Sequence, residues 1–282
     1  MAHPLHHPSR EPLPASTLAA EAAELRAEII DALYASGGGH YGGALSVLDL
    51  TLTLYRRVLR IFSDAPQHPD RDRFILSKGH SAIALYAVLR RLGYFNDPLS
   101  SYGRVGSPLE GHPDMTRLPG IDFSTGSLGQ GLSVGLGMAL ALQRPGPRVW
   151  VVLGDGECQE GQVWEAAMIA SRYRIEHLHA VVDANRYQEW GWHGSVDVAP
   201  DPVENLALKW HSFGWRVIEV DGHDYEALTA GFEESLGMRG RPSVVIARTV
   251  KGKGYPLIES DPTRFHCTSV SESEQRELTK ER

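Results

Sequence analysis

Three consecutive stretches near the middle of the chain restrict its fold more than anything else in it. RVWVVLG (148–154) is a short β-rich run, QVWEAAMIASRY (162–173) has helical periodicity, and HLHAVVDAN (177–185) returns to apolar, β-branched residues. Strand, helix, strand in that order is a βαβ unit, whose two strands lie parallel because the helix carries the chain back to the same end of the sheet. A second set follows, with WRVIEV (215–220), a helical DYEALTAGFEESL (224–236) and PSVVIARTV (242–250). Upstream, from Ser16 to Ser36, the apolar residues Leu18, Ala22, Leu25, Ile29 and Leu33 recur at helical spacing, and Gly37, Gly38 and Gly39 stop that helix. The alternation predicts an α/β fold: a doubly wound, mostly parallel sheet with helices on both faces. A chain of 282 residues with 42% hydrophobic content can build a full core. No linker interrupts it between Ser16 and about Val250, so one domain is expected over 16–270. A Pro- and His-rich N-terminal stretch, 1–15, is expected to be disordered, and 271–282 reads as a polar tail.

Charge and composition remove several functions. A formal net charge of −7 argues against nucleic acid or an anionic membrane surface as partner, because those are met by excess Lys and Arg. An anionic ligand would have to be held locally, by a metal ion or oriented backbone groups. The two cysteines, Cys158 and Cys267, form neither a metal-binding pair nor a disulfide framework, which suits a cytoplasmic protein. Apolar stretches such as Leu132–Leu142 are interrupted by glycine and fall short of the roughly 20 residues that a membrane-spanning helix needs.

The chemistry gathers at strand ends. In open α/β sheets, ligands sit beyond the carboxyl ends of the strands, where loops and helix N-termini converge. Asp155, in GDGECQEG, directly follows one strand of the βαβ unit, and Asn185, in VVDANRY, ends the other. If the two strands are neighbours, the side chains can meet. With the Tyr187 carbonyl they form an all-oxygen set suited to Mg²⁺ carrying a diphosphate, and Gly154 and Gly156 let the backbone approach phosphates closely. A Gly-Asp-Gly turn alone is common; its pairing with an Asn at the end of the next strand is the specific signal. GSLGQG (126–131) lacks both the spacing and the leading strand of a dinucleotide site. Lys251 and Lys253 read as a solvated turn between glycines, and Trp190 and Trp192 as interface or loop packing.

GDGECQEGQVWEAAMIASRYRIEHLHAVVDANRYQ resembles transketolase, the EGxxxEA continuation separating it from the pyruvate-dehydrogenase branch. In the same order, SGGGHYGGALS, DRFILSKGHSAIALYAVL and GSPLEGHPDMTRLPGIDFSTGSLGQGLSVGLGMALA are similar to the three histidine loops of that family. TVKGKGYPLIESDPTRFHC is similar to its KGKG stretch and terminal histidine. The resemblance covers about 20 to 270 and implies thiamine diphosphate and Mg²⁺ as cofactors. Asp155 and Asn185 would bind the metal by side chains and Tyr187 by its carbonyl. Gly154, Gly156 and Glu157 would lie beside the diphosphate, with His80 as neighbour, while Gly126, Ser127 and Leu128 would contact the aminopyrimidine side. His40, His112 and His266 would face the reactive carbon, where imidazole can bind the donor's hydroxyls and move protons near neutral pH. The implied activity is transfer of a two-carbon ketol unit from a ketose donor to an aldose acceptor.

The resemblance also implies a partner. A complete transketolase continues into a pyrimidine-binding domain, which holds the glutamate that activates the cofactor, and then into a third domain. Here only CTSVSESEQRELTKER follows His266. The expectation is therefore a subunit that works with a second chain carrying the pyrimidine-binding and C-terminal domains, two copies of each, on sugar or sugar-phosphate substrates. RYQEWGWHG after Asn185, and Tyr41 where many relatives carry Pro, mark places where the donor pocket would differ. Another thiamine-diphosphate carboligase or decarboxylase is the nearest alternative. A non-catalytic scaffold would have no need of Asp155, Asn185 and four histidines.

Overall fold

The computed structural model describes residues 13–142, 145–189 and 205–280. Helix α1 (Ala15–Ala35) turns Leu18, Ala22, Leu25, Ile29 and Leu33 fully inward, the stripe that the spacing predicts. α2 (Tyr41–Thr53) is buried on every side, and β1 (Arg73–Leu76) leads towards α3 (Ala82–Arg91). The chain then runs through α4 (Gln130–Ala141), β2 (Val149–Gly154), α5 (Gly161–Arg172) and β3 (Leu178–Ala184). After α6 (Leu206–Ser212) come β4 (Arg216–Asp221), α7 (Tyr225–Gly237) and β5 (Ser243–Arg248), and α8 (Pro256–Ser260) and α9 (Glu272–Lys280) complete the order.

Among the described residues five strands form one sheet in the order β1-β2-β3-β5-β4, with every pair parallel. The side chains of β2 divide by the pleat between two cores. Trp150 and Val152 join Val181 and Val245 under α1, α2, α3 and α7, whereas Val149, Val151 and Leu153 pack with Ala180, Val182 and Val244 under α4, α5 and α6. Because both faces are covered, the central strands are buried on both sides and mostly apolar, with His179, Asp183 and Ser243 as buried polar exceptions. The expected doubly wound α/β architecture is the one observed.

Two segments differ from the expectation. β1 is only four residues long and sits inside DRFILSKGH, where periodicity cannot register it. The stretch read as a polar tail forms α9, begun by a capping box in which the Glu274 amide donates to the Ser271 hydroxyl and the Ser271 amide to the Glu274 carboxylate. α9 packs on α1, buries Leu278 completely, and Gln275 donates to Asp31. Among the described residues no helix is long and apolar enough to cross a membrane.

Candidate active site

β2 and β3 pair in a register that sets Gly154 opposite Asp183, so Asp155 and Asn185 leave neighbouring strands at the same edge of the sheet. Both line a cavity of about 830 Å³ beyond the carboxyl ends of the strands. The Asp155 oxygens accept from the amides of Gly156 (2.8 Å) and Arg186 (2.5 Å), and the Asn185 Oδ1 accepts from the Tyr187 amide (3.0 Å). The Asn185 Nδ2 donates to the Ser46 hydroxyl at 3.2 Å and towards the Asp183 carboxylate at 3.4 Å, which orients the amide oxygen. Asp155 is 4% exposed, and among the described residues no cationic side chain pairs with it. Burial, aided by the charge of Asp183, raises its carboxyl to about 6. A buried carboxylate without an ion pair, beside an amide oxygen and a carbonyl, fits a hard divalent cation. The Tyr187 carbonyl already attracts positive charge, for it accepts from the Lys251 ammonium at 3.3 Å.

Beneath this set lies a buried ion pair. Lys78 and Asp183 are 1% and 0% exposed, and the ammonium donates to the carboxylate at 2.5 Å. Burial opposes the Asp183 charge, yet Lys78 together with the hydroxyls of Ser46 and Thr249 holds its carboxyl below the ordinary value. Neither ion is left unpaired, the condition under which a buried charge is tolerated.

Three of the four motif histidines form one cluster. The ring centroids of His40 and His80 are 5.1 Å apart, those of His40 and His266 5.6 Å, and those of His80 and His266 5.5 Å, although the residues lie far apart in sequence. The glycine loop makes this possible. Gly39 and Thr268 exchange backbone hydrogen bonds of 2.9 and 3.0 Å, and Gly38 passes so close that an added Cβ would lie 2.5 Å from the Thr268 carbonyl oxygen. Burial lowers His40 to about 4, helped by His112 and the two lysines of the cavity, and lowers His266 to about 3, helped by Lys251. Burial also takes His80 well below its ordinary value. At pH 7 all three are neutral and can both donate and accept. The Lys251 ammonium donates to His266 Nδ1 at 2.8 Å, so the neutral ring carries its proton on Nε2.

The family model described as the transketolase thiamine diphosphate binding domain matches residues 18–282. The chain belongs to the transketolase family. It is 43% identical over 226 residues to the 6-deoxy-6-sulfo-D-fructose transketolase subunit of Clostridium sp. (strain MSTE9), covering 79% of this chain and 81% of that one. To one of the subunits of the apulose-4-phosphate transketolase of Phocaeicola vulgatus it is 36% identical over 259 residues, 91% of this chain and 90% of the relative. The solved transketolase from Leishmania mexicana matches with a TM-score of 0.82 at 27% identity, over 96% of this chain and 42% of that one. The chain thus spans most of either of these two relatives and less than half of the solved transketolase.

Two residues of this transketolase chain, Tyr41 and Lys251, are placed differently from their sequence reading, and others take partners that the sequence did not show. Glu157 lines the cavity, but its carboxylate accepts from the Ser77 hydroxyl and the amides of Gly129 and Gly154, so it ties the 126–130 turn to the GDG turn. Gly126 and Leu128 line the cavity, whereas Ser127 is exposed beside it. His112 is exposed and packs against Gly126, near enough to His40 for its charge to act there. Tyr41 does not reach the pocket: its ring is fully buried, 6.3 Å from Phe265. Lys251, read as part of a solvated turn, is 2% exposed and lines the cavity. Flanking glycines suggested an open turn; the close approach of Gly42 to its aliphatic stem is visible only in three dimensions. Lys78, which the sequence reading passed over, sits two residues before His80 in the second histidine loop. Trp190 and Trp192, and the part of RYQEWGWHG beyond Glu189, lie outside the described residues.

Proposed function

We propose that this chain is the diphosphate-binding subunit of a two-chain, Mg²⁺-dependent transketolase of the cytoplasm, which passes a two-carbon ketol unit from a ketose to an aldose. The observation that carries the proposal is the meeting of Asp155 and Asn185 at the ends of neighbouring parallel strands, in one cavity with His40, His80 and His266. Thiamine diphosphate, when bound, supplies the carbanion chemistry. Asp155, Asn185 and the Tyr187 carbonyl would hold Mg²⁺, with the Gly154 and Gly156 backbone and His80 beside the diphosphate. Gly126, Ser127 and Leu128 would meet the aminopyrimidine side. His40, His112 and His266 would hold hydroxyls of the sugar and move protons. For His266 that proton is the one on Nε2, since Nδ1 is occupied by Lys251.

Both of the relatives described above are named for ketoses with an anionic group, a sulfonate in one and a phosphate in the other. Among the described residues that line the cavity, the lysines are Lys78 and Lys251, engaged by Asp183 and His266, while Glu160 and Glu189 add negative charge. Recognition of such a group therefore falls to the partner chain, with its pyrimidine-binding and C-terminal domains. Two copies of each chain would close the assembly by symmetry. The test is reconstitution. Mixing this chain with the chain that co-purifies from the native cell should produce ketol transfer that neither shows alone. In the assembled enzyme, His40→Ala, His112→Ala and His266→Ala should each lower turnover by roughly 10²–10⁴. Full activity of this chain by itself, or unchanged transfer in all three variants, would overturn the reading.

A further inference from the structure

Six residues along α2 from Gly43, which lines the cavity, Asp49 ties α2 to α1, to α7 and to the turn that follows β4. It is 2% exposed, and both oxygens are engaged: Oδ2 accepts from Arg26 of α1 (2.5 Å) and from His223 Nδ1 (2.7 Å), and Oδ1 from the Tyr225 hydroxyl of α7 (2.7 Å). Burial works to raise this carboxyl, but the His223 hydrogen bond and the Arg26 charge keep it below its ordinary value. A carboxylate accepts only, so His223 donates from Nδ1 and its Nε2 is left as an acceptor. That acceptor receives the backbone amide of Val250 at 2.8 Å. Arg26 reaches the same turn from its other end, with Nε donating to the Lys253 carbonyl at 3.1 Å. Between these two anchors stands Lys251, whose ammonium meets the Tyr187 carbonyl and His266 Nδ1.

We propose that Asp49, His223 and Arg26 are positioning residues that clamp the 250–254 turn at both ends, and so fix Lys251 in the place where it sets the tautomer of His266. None of the three lines the cavity. The effect on turnover rests on the ketol-transfer reading, whereas the clamp itself does not. The residue types follow from the task. An imidazole with its Nδ1 proton held by a carboxylate offers a fixed acceptor to a backbone amide at the far side of the ring, the arrangement by which a second group selects one tautomer.

The test uses the assembled two-chain enzyme and His223 variants that separate the two ring nitrogens. His223→Gln retains an acceptor at the reach of Nε2 for the Val250 amide. His223→Asn retains a donor at the reach of Nδ1 for Asp49, and nothing that meets Val250. Hydrogen exchange of the peptide covering 249–254, read by mass spectrometry, should be about tenfold faster in His223→Asn, the scale of one lost hydrogen bond, and near the parent in His223→Gln. Turnover should fall about tenfold in His223→Asn and recover in His223→Gln. In a Lys251→Met background the Asn substitution should make little further difference, since residues acting through one group are not additive. Arg26→Gln, at the part-exposed end of the clamp, should likewise speed exchange and slow turnover, and keeps the test available if His223→Asn does not assemble. Equal exchange in the parent, His223→Asn and Arg26→Gln would overturn the clamp even if ketol transfer is confirmed. Turnover losses that add fully to that of Lys251→Met would overturn the route through Lys251. Faster exchange in an enzyme without ketol transfer would uphold the clamp while sinking the function.

Discussion

Burial and the neighbouring Asp183 raise the Asp155 carboxyl to about 6, so the group best placed to hold a metal also destabilises the metal-free chain. An acid whose folded pKa exceeds its unfolded value binds more protons when folded. The penalty is therefore absent below about pH 4, grows as pH rises through the folded value, and is complete above it. Asp155→Asn removes the buried charge and gives up one of two backbone hydrogen bonds, a loss of about 1 kcal/mol against a relief of about 3. Urea unfolding in the presence of a chelator should show the variant more stable at pH 7 by on the order of 2 kcal/mol, with the advantage lost towards pH 4. A variant less stable than the parent at pH 7 would contradict this electrostatic account. Asp155 and Asn185 were legible in the sequence because each follows a strand that its own composition announces. Lys251 was not, because its burial depends on Gly42, some two hundred residues away, and no local pattern encodes that contact.

Among the elements, the loop between α1 and α2 decides whether the histidines meet. Gly38 has φ +134°, where an L side chain is strained, and its Cβ position lies 2.5 Å from the Thr268 carbonyl oxygen. Gly38→Ala must displace the segment that carries His266. It should cost roughly 1–3 kcal/mol of stability and lower turnover, because His40 and His266 are set by the same backbone bridge. Gly37→Ala has open space around its Cβ and only a strained φ of +90°, so denaturant unfolding should show about 1 kcal/mol lost and activity largely kept. Equal effects of the two substitutions would remove the close approach as their cause. The GGG run announced a helix stop, and α1 ends there as expected. Nothing in the run itself shows that it also pairs with Thr268, since a two-residue bridge leaves no periodicity. The same holds for β1, which is too short to read, and for α9, whose capping box at Ser271 and Glu274 was present in the sequence but whose burial rests on Leu278 alone.

For the whole molecule, the sheet order and its two cores place His40, His80, His266, Asp155 and Asn185 around one open cavity at the carboxyl edge. α4 and α5 pack together and leave Leu140, Met168, Ile169 and Tyr173 exposed, at 51%, 51%, 44% and 64%. Exposed apolar side chains on adjoining helices suit a chain that meets a partner. The parallel architecture was legible from strand and helix alternation, while the partner rested on family resemblance, because no pattern within one chain describes a surface on another. The account turns on whether this chain holds the diphosphate through a metal ion. Titration calorimetry of thiamine diphosphate into the assembled two-chain enzyme, with and without Mg²⁺, measures that directly. The parent should bind only with Mg²⁺, and Asn185→Ala should lose that binding while keeping the fold. Binding by Asn185→Ala with the affinity of the parent, or binding by the parent that ignores Mg²⁺, would contradict the account.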